Sequence, residues 1–102
     1  MAVLHVNKNN FEEVRNSEKK VLLDFFASWC GPCRMVSPLV DRIAEEHPEY
    51  LVAKVDVDRE PELAQAFKVV SIPTLVVLQN GQEVQRSVGA ISKDRILKLL
   101  EG

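Results

Sequence analysis

The chain has 102 residues, 46% of them hydrophobic and 27% charged, with four Gly, five Pro and two Cys. One compact unit over residues 1–102 is expected, because a chain of about 100 residues buries roughly 60–70% of its unfolded surface and has no room for a second core. The apolar content excludes a disordered chain, two cysteines are too few for a disulfide-stapled miniprotein, and no segment reaches the roughly 20 apolar residues of a membrane-spanning helix.

Taken in chain order, Ala2 to Val6 is a short strand. Asn9 or Asn10 then caps a helix through Phe11, Val14 and Arg15, with Glu12 or Glu13 placed to complete a capping box. Val21 to Ala27 is apolar on both alternating faces, as a strand covered by helices on each side should be, and Asp24 is its one charge. From Pro32 to His47 the residues Met35, Val36, Leu39, Val40, Ile43 and Ala44 repeat at helical spacing, with Pro38 inside predicting a kink rather than a break. Leu51 to Val57 is the next strand, and Glu60-Pro61 opens a short helix through Leu63, Ala64 and Phe67. Thr74 to Gln79 and Glu83 to Val88 flank Asn80-Gly81, the strongest short hairpin signal, so they pair antiparallel. Ser92 caps the last helix, with Ile91 stapled onto Ile96. Right-handed crossovers make the first three strands parallel, which predicts an α/β class with a mixed sheet.

Charge is almost balanced, 13 Lys+Arg against 15 Asp+Glu, and the signs are interleaved, as in Asp58-Arg59-Glu60. No clustered positive footprint for nucleic acid is present. The first residues carry no basic stretch followed by a long apolar run, so no signal peptide is read, and a cytoplasmic, reducing compartment is expected.

Both cysteines lie in Trp29-Cys30-Gly31-Pro32-Cys33, where a central strand ends and a helix begins. The carboxyl end of a parallel strand is the usual place for a functional site, and a helix N-terminus stabilises negative charge. A thiolate on Cys30 is favoured there, and Cys33, one helical turn on, is close enough to close a small ring. Three plainer readings compete. Structural cysteines belong in separate core stripes, a loop this short gains little as a structural crosslink, and zinc needs about four ligands where only the distant His5 and His47 remain. A redox pair is favoured over all three. Asp24 is the second candidate: a carboxylate inside an apolar strand carries a desolvation cost unless paired or protonated, and burial raises its pKa, whereas at a sheet edge it would be unremarkable.

The stretches Asp24-Phe-Phe-Ala-Ser-Trp-Cys-Gly-Pro-Cys33, Pro38, Ala53-Lys-Val-Asp-Val-Asp58, Ser71-Ile-Pro-Thr74, Asn80-Gly81 and Val88-Gly89 occur in one order, and over essentially its whole length the sequence resembles the thioredoxin family. That resemblance implies a thioredoxin fold, a central five-stranded mixed sheet in the order 1-3-2-4-5 flanked by four helices. It makes Cys30 the nucleophile that forms a mixed disulfide with a client protein, and Cys33 the residue that resolves it, leaving the two joined. Pro32 between them is associated with the reducing members of the family. Asp24 would lie beneath Cys33 and accept its proton through water, with Lys54 as its partner; Lys54 could equally be a solvent-facing strand residue. Pro73 would be cis, and the backbone of Ile72 would pair with an extended client segment. Trp29, Gly31, Pro32, Ile72, Pro73, Gly89 and Ala90 would form the client-binding rim, although Trp29 alone also reads as a core aromatic and Gly89 as a bend. Phe26 stands where many bacterial members carry a second Trp, and Ser71 where some carry Gly.

The resemblance further implies a protein-disulfide reductase that carries electrons, needs no metal or cofactor beyond the Cys30-Cys33 disulfide, and is recycled by a flavin-containing, NADPH-dependent thioredoxin reductase. Implied clients are ribonucleotide reductase, methionine sulfoxide reductase and peroxiredoxins, with no nucleic acid, no membrane and a monomeric state. The rival readings are an oxidase or isomerase with the same chemistry, and a binding module or holdase to which the cysteines are incidental.

Overall fold

The computed structural model describes residues 3–102. The first strand, β1, covers Val3–His5, so Ala2 of the expected strand lies outside the described residues. Val6, just past it, is buried and continues the pairing through its amide, which donates to the Lys54 carbonyl at 2.9 Å. Helix α1 is only Phe11–Arg15, and the expected side-chain cap does not form. Asn10 instead accepts from the Asn7 amide at 2.8 Å and donates to the His5 carbonyl at 3.0 Å, while Asn7 Oδ1 accepts from the amides of Asn9 and Asn10. The asparagine side chains close the strand-to-helix turn, which competes with capping for the same oxygens.

Strand β2 is Lys20–Phe26, helix α2 is Gly31–Glu46, and β3 is Tyr50–Asp56. Both strands start and stop one residue earlier than their apolar runs. They start in step because Lys20 pairs with Tyr50. β2 stops at Phe26 because the Ala27 carbonyl accepts from the Cys30 amide in a turn at 3.2 Å, and β3 stops because Asp56 Oδ1 takes the Asp58 amide at 2.9 Å. Helix α2 passes through Pro38 without a break, and α3, Pro61–Ala66, begins with Pro61 where its missing N–H costs nothing. β4 (Thr74–Gln79) and β5 (Gln82–Val88) form the expected hairpin, in which Asn80 and Gly81 adopt φ of 55° and 80°, the positive values a tight hairpin turn requires. Helix α4 is Lys93–Glu101, capped by Ser92 Oγ accepting from the Arg95 amide at 3.3 Å.

The sheet runs β1-β3-β2-β4-β5. β1 and β2 lie parallel to β3, while β4 is antiparallel to β2 and to β5. The fold is therefore the expected mixed five-stranded sheet with four helices. Side-chain alternation splits the core into two layers. Leu22, Val52, Leu75 and Val77 face α2 and α4, meeting Val36, Val40, Ile43, Ile96 and Leu100. Val21, Leu23, Phe25, Ala53, Val55 and Val76 face the other way, against Val14 of α1 and the flanking Leu63 and Phe67. Asp24 shares the parity of Leu22, and Lys54 that of Val52. Both therefore point under α2, and the register sets Asp24 beside Lys54.

Candidate active site

The turn that ends β2 delivers Cys30 to the N-cap of the 16-residue helix α2. There its Sγ accepts from the Cys33 amide at 3.2 Å, satisfying one of the donors that a helix start leaves free. Cys30 and Cys33 are joined as a disulfide, with Cα atoms 5.3 Å apart. An amide aimed at sulfur at the positive end of a helix favours a thiolate on Cys30 once the pair is reduced. Both residues are buried with Ala27 against Phe26, Val57 and Ile72, so the reactive sulfurs sit in an apolar setting.

Asp24 is 1% exposed, and its Oδ1 has no hydrogen-bond partner among the described residues. Burial is the main influence on the carboxyl and pushes it up to about 6, against the smaller opposing pull of Lys54 and helped by the like charge of Asp41. Lys54, 8% exposed, is not the solvent-facing residue its strand position also allowed. It stands next to Asp24 in register, yet its ammonium binds Asp41 Oδ1 at 2.8 Å and Ser37 Oγ at 2.6 Å, both on α2. Sequence reading missed Ser37 and Asp41. Their spacing of one helical turn, each directly following a buried valine of α2, Val36 and Val40, was the available signal.

The loop before β4 closes the site from the other side. The Ile72-Pro73 peptide is cis, and Cys30 Sγ lies 3.8 Å from the Ile72 carbonyl oxygen. Pro73 is buried and its carbonyl accepts from the Gly89 amide at 2.8 Å, which ties in the Gly89 turn, where φ is 96°. Trp29 is 67% exposed, so it is no core aromatic, and its Nε1 donates to Asp58 Oδ2 at 2.8 Å. Asp58 is a further residue that sequence reading left out; the Asp56-to-Asp58 turn brings it there. Gly31 and Pro32, between the two cysteines, are exposed, as is Ala90 after the Gly89 turn. Beside Ala90 a groove of about 270 Å³ runs over Met35, Leu39 and Ile91, with Met35 70% exposed. The rim is thus brought together around Cys30, with Ile72 half-buried and Pro73 beneath the surface.

A reversible disulfide at the mouth of a helix, on a mixed sheet covered on both faces, defines a thiol-disulfide oxidoreductase. Residues 2–102 match the family model described as Thioredoxin, and the chain belongs to that family. It is 49% identical over 80 residues to the thioredoxin of Chlamydia trachomatis, covering 78% of each chain. It is 53% identical over 89 residues to the bifunctional thioredoxin reductase/thioredoxin of Mycobacterium leprae, covering 86% of this chain and 19% of that longer protein. Its fold superposes on a mutant thioredoxin from Halobacterium salinarum with a TM-score of 0.91 at 39% identity, covering 97% of this chain and 88% of that one. The Cys30-Cys33 disulfide is the redox centre of this family member, and membership implies a thioredoxin reductase and disulfide-bearing proteins as exchange partners. Among the described residues no helix is long and apolar enough to cross a membrane, and no group of three or more His, Cys, Asp or Glu is gathered to hold a metal.

Proposed function

We propose that residues 1–102 act as one thioredoxin domain, a monomeric cytoplasmic electron carrier that reduces disulfides in client proteins. The Cys33 amide pointing at Cys30 Sγ from the start of α2 carries the assignment of Cys30 as nucleophile. In the reduced protein the Cys30 thiolate attacks one sulfur of a client disulfide. A Cys30–client disulfide forms, and the second client sulfur leaves as a thiolate. Asp24 takes the Cys33 proton, the Cys33 thiolate attacks Cys30 Sγ, and the client's first sulfur departs as the intramolecular disulfide closes. Two electrons pass to the client, and both departing thiolates take up protons. The Ile72 backbone, held against Cys30 by the Pro73–Gly89 link, pairs with the extended client segment, and Trp29, Gly31, Pro32 and Ala90 accept its side chains.

The regenerating partner in this reading is a thioredoxin reductase, a pairing supported by a relative whose name joins the two activities. Ribonucleotide reductase, methionine sulfoxide reductase and peroxiredoxins are the proposed clients. Insulin-disulfide reduction driven by NADPH and a thioredoxin reductase tests the proposal. Wild type should turn over, Cys30→Ser should abolish turnover, and Cys33→Ser should accumulate client adducts on non-reducing gels. A wild type without turnover refutes the carrier function, and a Cys33→Ser variant without adducts refutes the nucleophile assignment.

A further inference from the structure

Lys54 poses a problem of choice. Its Cα is in register with Asp24, which has a buried and unpartnered oxygen, yet the ammonium is bound elsewhere. Of its three N–H donors, one meets Asp41 Oδ1 at 2.8 Å and one meets Ser37 Oγ at 2.6 Å. Asp41 is half-exposed at the helix surface, whereas Lys54 is buried, so a surface carboxylate and a hydroxyl one turn away tether a buried cation. An ammonium on Asp24 would stabilise its carboxylate and weaken it as a proton acceptor.

Among the described residues, the other surroundings of Asp24 offer no substitute for this cation. On its own strand and face, Lys20 bonds the Leu100 carbonyl at 2.7 Å at the far end of the strand. On β3, Asp56 is occupied by the Asp58 amide, and β4 presents Leu75 opposite Asp24. From the helices, α2 contributes Asp41, while α4 adds Ile96 and Leu100 to this layer.

We propose that Ser37 and Asp41 are positioning residues for the proton step: they hold the Lys54 ammonium on α2 and so leave Asp24 free of an ion pair. The proposal rests on the proton-acceptor role assigned to Asp24 above. Losing either anchor releases Lys54 toward Asp24, and the Asp24 titration moves to lower pH. Because Asp41 also acts on Asp24 directly as a like charge, the uncharged Ser37 and a Lys54 background are needed to separate the two routes.

The experiment follows the ¹³C shift of the Asp24 carboxyl against pH in the oxidised protein, with the pH profile of insulin reduction measured in parallel. Variants are Ser37→Ala, Ser37→Thr, Asp41→Asn and Lys54→Met, with Ser37→Ala/Lys54→Met as the control. Ser37→Ala and Asp41→Asn should lower the Asp24 midpoint by about one unit or more, and the acid limb of the rate profile should follow. Ser37→Thr, which keeps the hydroxyl, should titrate like wild type. In the Lys54→Met background the Ser37→Ala shift should vanish. An Asp24 midpoint unmoved by Ser37→Ala overturns the proposal, as does an equal shift with and without Lys54. A midpoint that moves while the rate profile stays fixed overturns the proton role of Asp24 itself, and the two failures are thereby distinguished.

Discussion

Replacing Asp24 by Asn removes a buried ionisation and tests the electrostatics of the site through stability alone. The carboxyl is raised from 3.8 to about 6 by burial. Between those values the folded protein holds a proton that the unfolded chain has released, so wild-type stability falls as pH rises through this window and levels off above about 6. The size of the fall is about 2.2 pH units at 1.36 kcal/mol each, or about 3 kcal/mol. The Asn side chain cannot ionise, and whatever its amide costs in the same place is independent of pH. Urea denaturation of the oxidised proteins at half-unit steps from pH 3 to 7.5 should therefore show the stability difference, Asp24→Asn minus wild type, climbing by about 3 kcal/mol. At a denaturant dependence of about 1.5 kcal/mol/M that is a relative midpoint shift of about 2 M. Every other titrating group is common to both proteins and drops out of the difference. A difference that is flat across the range, or that declines, would show that the carboxyl is neither desolvated nor raised, and the reasoning would fail.

Three further substitutions probe the frame around the site by thermal melts. Lys68 sits in the left-handed region with φ of 56°, so Lys68→Gly should stabilise by about 0.5–1 kcal/mol and raise Tm by a few degrees; an unchanged or lower Tm counts against strain there. Ser92→Ala deletes the bond to the Arg95 amide and should cost about 1 kcal/mol, a loss that Ser92→Asp should largely avoid by restoring an acceptor. Ile43→Ala empties a fully buried position between α2 and the sheet and should cost about 2–5 kcal/mol, with a loss under 1 kcal/mol contradicting its place in the core.

Features that a few adjacent residues decide were legible in the sequence. Asn80-Gly81 names its own turn because few other residues adopt two positive φ angles in succession, and Ser92 names its helix because its oxygen reaches a neighbouring amide. The cysteine pair was legible for the same reason, with the helix start written in Gly31-Pro32. Asn10 misled because its side-chain oxygen turns back to the Asn7 amide instead of forward to the helix amides, a choice that only the folded turn makes. Lys54 was undecidable from its strand. Its binding partners sit on α2, and Ser37 is 17 residues away in sequence, so their meeting depends on how that helix lies on the sheet. The whole-chain resemblance supplied what local pattern could not, namely the strand order and the cis geometry at Pro73, both of which the structure contains.

Trp29 gives the molecule a built-in optical reporter. It is the sole tryptophan of the chain, it precedes Cys30 directly, and it is held in place by Asp58. With no second indole to dilute the signal, emission excited at the red edge of the absorption band reports on one location, the entrance to the disulfide. Redox titrations of the unlabelled protein can be read directly from that emission.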